Sequence, residues 1–150
     1  MKFKFAFQTV LRYRKTVEEI AQADFSEAMA ELNRQKQILS DMQEEIALAR
    51  ENAFQTQTDG GKAGPALSQV HEFLKGQDIR IERQRMKIQE WQVKVEELQE
   101  ILRQKAIDYK IIDELRDRKK EEFRIEQNKL DQKRTDDMNI MRFKPAGRKE

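Results

Sequence analysis

The sequence contains no cysteine, two prolines, five glycines and a single histidine in 150 residues. Without cysteine there is no disulfide framework and no thiolate site, which suits a reducing compartment. With so few glycines and prolines the backbone has few places to turn. No stretch approaches the roughly 18 uncharged apolar residues that a bilayer span needs, and the basic N-terminus lacks the apolar run of a signal peptide. A soluble, cytoplasmic protein is expected. Nor does one sign of charge dominate: 30 Lys and Arg are interleaved with 28 Asp and Glu. No nucleic-acid partner is expected, because that would want a basic stripe along one face.

What the chain has is charge in quantity. Charged residues make up 39% of it, where an ordinary globular domain carries about a quarter. Combined with abundant Glu, Gln, Lys, Leu and Arg, this composition describes long helices that bury one narrow stripe and leave their other faces wet.

The opening MKFKFAF alternates Phe with basic or small residues, a strand-like period of two. Nothing later offers a partner strand, so it reads as a frayed tail entering a helix. The first helix is expected from about residue 7 to 57. Val10, Tyr13, Val17 and Ile20 mark one seam at spacings of three and four. A stronger heptad seam follows: Phe25, Ala28, Leu32, Gln35, Leu39, Met42, Ile46, Ala49 and Ala53. Joining the two through Ala21 takes one extra spacing of four, a stutter that predicts a rotated seam near residues 20 to 25.

A turn is expected at about 58–67, where three of the five glycines and one of the two prolines fall. Ser68 can cap a second helix over about 68–141, although His71 stands where a capping-box acid would. Its seam reads Leu74, Gln77, Ile81, Gln84, Ile88, Trp91, Val95, Leu98, Leu102, Lys105, Tyr109 and Ile112. Beyond that the register meets Arg116, Lys119, Phe123, Glu126, Leu130 and Lys133, a thinner and half-polar stripe. At 1.5 Å per residue the helices would be about 75 and about 110 Å long, so the second outruns the first. Pro145 and Gly147 mark a flexible tail over 142–150. Neither helix is stable alone, and a turn of about ten residues makes antiparallel pairing the way to bury both stripes. The fold class is therefore all-α: one long antiparallel two-helix coiled-coil hairpin, expected to be monomeric.

Sites for chemistry are scarce. His71 has no cysteine to join it as a metal ligand and reads as a surface residue. Gly60-Gly61-Lys62 lacks both the Ser or Thr and the preceding strand of a phosphate loop. The carboxylates have no cleft to raise a pKa, and Ser26, Ser40 and Ser68 lie in no triad-like setting. No enzyme activity, cofactor or metal is expected. Trp91 sits at a d-type position and reads as core; its other reading is a partly exposed anchor for a partner. The basic cluster Arg116, Arg118, Lys119 and Lys120 is neutralised by Asp113, Glu114, Asp117, Glu121 and Glu122. At the ends, Phe3, Phe5, Phe7, Val10 and Leu11 are expected to meet Met138, Ile140, Met141 and Phe143. They would either close the end of the hairpin or form an apolar tip for another protein's socket.

The stretch FKFAFQTVLRYRKTVEEIAQADFSEA resembles the start of the flagellar export protein FliJ family. Further agreement comes from Phe73 and Leu74, from QRMKIQEWQVKVEEL, and from EQNKLDQKRTDD near the end. The resemblance covers nearly the whole chain through coiled-coil motifs, with no catalytic signature. It implies a cytoplasmic component of the flagellar type III export apparatus, peripheral to the membrane through the export gate. Such a stalk sits in the hexameric ring of the export ATPase (FliI-like), promotes ring assembly and links it to the export gate protein (FlhA-like). Export chaperones are further partners. By the same resemblance, ring contact falls to Phe7, Gln8, Leu11, Arg12 and Arg14, with Gln127, Leu130, Lys133 and Arg134. Gate contact falls to Gln35, Leu39, Met42, Ile46, Phe73, Gln77 and Gln84, several of which also occupy the core seam. The alternatives are a stalk of a virulence-type secretion system and a structural, self-associating coiled coil.

Overall fold

The computed structural model describes residues 1–58 and 64–143 of the chain. Two helices make up nearly all of it: α1 (Gln8–Thr58) and α2 (Gly64–Phe143), packed against each other as an all-α hairpin. The helix α2 starts four residues before Ser68, with Pro65 as its second residue. Proline has no N–H to leave unsatisfied in a first helical turn and its φ is already helical, so here it starts a helix rather than breaking one. The glycines of the expected turn at 60 and 61, and the tail from 144 on, lie outside the described residues.

The chain divides into two compact units, one formed by Met1–Glu18 with α2 from Gln104 onward and the other by Glu19–Arg103. In the second unit Ala28, Leu32 and Val95 form the buried centre, with Leu32 2% exposed. Phe25, Met29, Ile88, Trp91 and Leu98 pack around it. Partners run in opposite senses: Gln35 meets Gln84, whereas Ala28, nearer the N-terminus, meets Val95. Every member of the heptad seams from Phe25 to Ala53 and from Leu74 to Leu102 is buried or half-buried. The same antiparallel sense holds in the first unit, where Phe3 meets Phe123 and Lys15 meets Tyr109.

The stutter expected near residues 20 to 25 is not there. Within α1 the covered positions are Leu11, Arg14, Glu18, Ala21, Phe25 and Ala28, an unbroken alternation of three and four. Val10, Tyr13 and Ile20 are exposed. Val17 is half-buried beside that row. Apolar side chains on the flank imitate a seam, while two charged residues hold the true seam positions. On the surface Glu114 pairs with Lys110, and Lys94 lies over the Trp91 ring, 4.8 Å from its centroid. Most of the ion pairs are at i,i+3 on wet faces, so they provide solubility more than stability.

Candidate functional site

In the first unit the non-helical tail turns into α1 through two backbone bonds, Gln8 N–H to the Phe5 carbonyl (3.3 Å) and Leu11 N–H to the Phe7 carbonyl (2.9 Å). This turn lays Phe3 on Phe123 of α2, with ring centroids 5.6 Å apart, and sets Phe5 edge-on to Phe7 at 5.9 Å. Leu11, 4% exposed, is the buried apolar residue of this unit. Polar contacts flank it: Arg14 donates from Nη1 to the Asp108 carbonyl at 2.8 Å, and the Lys15 ammonium lies 5.0 Å from the centre of the Tyr109 ring. A groove of about 510 Å³ separates the tail from α2, lined by Met1 and Phe3 on one side and Phe123, Arg124 and Gln127 on the other. Along its edge Arg124 forks onto Glu121 through Nε (3.0 Å) and Nη2 (2.6 Å). That pairing holds the Glu121 carboxyl below its ordinary value and raises Arg124 further.

The tail reaches no further along α2 than this groove. From Asn128 to Phe143 every residue of α2 is exposed, including Leu130 (44%), Met138, Ile140, Met141 and Phe143 (81%). The expected meeting of Phe3, Phe5, Phe7, Val10 and Leu11 with Met138–Phe143 is therefore not formed. Phe3 already stands at Phe123, and 20 further residues at 1.5 Å each carry Phe143 about 30 Å beyond it. Among the proposed ring contacts, Phe7 and Arg12 are exposed, Gln8 and Gln127 half-buried, and Leu130, Lys133 and Arg134 stand on the bare helix. Leu11 faces α2, and Arg14 is tied to Asp108. Arg14 owes its place to the register: carrying the heptad of Phe25 and Ala28 backwards lands on Ala21, Glu18, Arg14 and Leu11.

In the second unit the residues expected at the gate fall mostly inside. Gln35, Ile46, Gln77 and Gln84 are buried, Leu39 and Met42 half-buried, and Phe73 is exposed at the edge. The glutamines make a polar layer across the pair. Gln84 Nε2 donates to both the backbone carbonyl and the Oε1 of Gln35, each at 2.8 Å. Gln35 Nε2 donates in turn to Glu31 Oε1 at 2.9 Å, which also accepts from Arg34 at 2.6 Å. Those two donors, Arg34 first, lower the Glu31 pKa from its ordinary value. One heptad along α2, Gln77 has its side-chain oxygen buried with no hydrogen-bond partner among the described residues. Trp91 packs on the central core, as its seam position predicts, and shows one face to a groove.

Among the described residues no group of His, Cys, Asp and Glu is arranged to hold a metal, and no helix is long and apolar enough to cross a membrane. His71 is exposed. Comparison with curated proteins and with solved structures gives no match. A family model described as the flagellar FliJ protein matches residues 3–148, nearly the full length, and the chain belongs to that family.

Proposed function

We propose that this chain is a non-enzymatic stalk and coupling component of the flagellar type III export apparatus, whose first unit enters the export ATPase ring and promotes its assembly. Family membership supports a role in flagellar export. The observation that carries the finer reading is the unpaired end of α2. A lone helix as short and charged as residues 128–143 is marginal in water, because most helical stability comes from tertiary packing. It also displays five large apolar side chains without a facing helix. A socket in another protein supplies the missing packing. The exposed Phe7 and Arg12 and the bare Leu130, Lys133 and Arg134 form the ring-facing set, while Leu11 and Arg14 keep the tail and the two helices in place behind it.

The contact with the export gate belongs to the second unit in this reading. Phe73 and the accessible edges of Leu39 and Met42 offer the contact, and the buried Gln35, Ile46, Gln77 and Gln84 hold the pair that presents them. Export chaperones are further partners of the same assembly. The test mixes the full chain with the export ATPase and follows ring assembly and ATP hydrolysis. Both rise in the proposed mechanism. A Leu130→Asp/Met141→Asp chain, altered only at exposed positions, keeps its helical circular dichroism and loses the stimulation. Unchanged hydrolysis with the native chain would remove the stalk reading, and full stimulation by the double variant would remove the role of the α2 end.

A further inference from the structure

The second unit carries a groove that neither the ring nor the gate reading uses. It holds about 340 Å³ between α1 and α2 and is floored by Ala28, Leu98 and the half-buried face of Trp91. Ala28 is the reason it exists, since a small side chain at a seam position leaves the aromatic opposite it uncovered. Its α1 rim is a row of carboxylates, Asp24, Glu27 and Glu31, at the three-and-four spacing of one helix face. The opposite rim has one cation, Lys94, lying over the Trp91 ring. The ring face is thus open enough to attract a cation already. Past the groove the apolar strip continues. Ile20 is one turn before Asp24 on α1, Ile101 is one heptad after Lys94 on α2, and both are exposed, by 56% and 46%. The antiparallel register sets these two isoleucines at about the same level.

We propose that this groove is the docking site of a basic amphipathic helix from a partner protein, laid along the second unit as a third helix. Its apolar stripe covers the strip from Ile20 and Ile101 to Trp91. Arginines or lysines on one flank meet Asp24 and Glu27, and one of them takes the place of Lys94 over the tryptophan. The charge row selects the occupant: in helix packing the seam residues provide the contact area, and the flanking charges choose the partner and its orientation. An acidic helix is repelled by the α1 rim. A second copy of this chain, whose α2 carries Arg80, Arg83 and Lys87 at three-and-four spacing, is the competing occupant that the test separates.

The chain's only tryptophan lies in the groove and reports its occupancy. The probe is a synthetic helical peptide about three heptads long with leucine at the seam positions and arginine on one flank, compared with its arginine-to-glutamate twin. Titrated into the full chain, the basic peptide shifts Trp91 emission to shorter wavelength as water leaves the ring face, and the acidic twin does not. Asp24→Lys/Glu27→Lys weakens the basic peptide by at least about tenfold and admits the acidic one. These two positions are exposed, so the helical circular dichroism stays native. Raising salt weakens the native complex, a readout that needs no variant. Equal binding of both peptides, or no spectral change with either, overturns the proposal. So does an emission shift produced by concentrating the chain alone, which would assign the groove to a second copy.

Discussion

Gln77 and Gln84 are both buried glutamines one heptad apart on α2, yet they are expected to respond oppositely to substitution. Gln84 makes two hydrogen bonds to Gln35, each contributing about 1 kcal/mol net. Truncating it also opens a space in the seam. Gln84→Ala should therefore lower the unfolding free energy by about 2 kcal/mol. Gln77 keeps a buried oxygen without a partner among the described residues, and replacing such a group with an apolar one of similar size is neutral to stabilising. Gln77→Leu should raise stability by about 1 kcal/mol. Urea unfolding followed by circular dichroism separates the two signs. Glu31 adds a pH dependence to the same layer. Its carboxyl is held below the ordinary 4.5 by Arg34 and Gln35, so the folded state favours the ionised form. The contribution is present above the unfolded value and is lost as pH falls through the lower folded value. Native and Glu31→Gln chains should differ in Tm at neutral pH and converge once the pH falls below that folded value.

At the scale of an element, the two helices were legible to different depths. The seams from Phe25 to Ala53 and from Leu74 to Leu102 could be read from spacing alone, because there apolar character and burial coincide. They part company at the start of α1. Val10, Tyr13 and Ile20 are apolar and exposed, whereas Arg14 and Glu18 are charged and lie on the covered row. Local hydrophobicity therefore pointed to the wrong face, and the register was the better guide. The excess length of α2 was visible in the sequence, but the depth at which the tail meets it was not. That depth is marked by an aromatic contact, Phe3 with Phe123, among eight phenylalanines of the chain. The glutamine bonds were likewise hidden, since a heptad names the residues facing inward and not the geometry of their amides. An exchange experiment tests the bare end of α2. With no tertiary packing, its backbone opens at almost no free-energy cost. Amides of residues 128–143 should exchange orders of magnitude faster than those of 84–98 in the free chain. Adding the export ATPase should slow the first set and leave the second unchanged. Equal protection of both sets in the free chain would mean that the α2 end is covered by something in the chain itself.

For the whole molecule, the separating quantity is stoichiometry. The seam of each unit is filled from within one chain, since Leu32 packs with Val95 and Leu11 faces α2. A second copy is therefore not needed to complete a core, and light scattering should return the mass of one 17.9 kDa chain. What stays exposed is concentrated in the first unit: Phe7 just before α1, Val10 and Tyr13 on α1, and Leu130, Met138 and Phe143 on α2. A socket at the centre of a closed ring sees its guest from all sides and admits one copy, whereas a site on each ring subunit admits as many guests as subunits. Stimulation of ATP hydrolysis should therefore saturate at about one chain per six ATPase subunits. A titration at ATPase concentrations well above the Kd reads that endpoint directly. A break at one chain per subunit would place the exposed residues on the outside of the ring, and the α2 end would then be a lateral clamp rather than an axle.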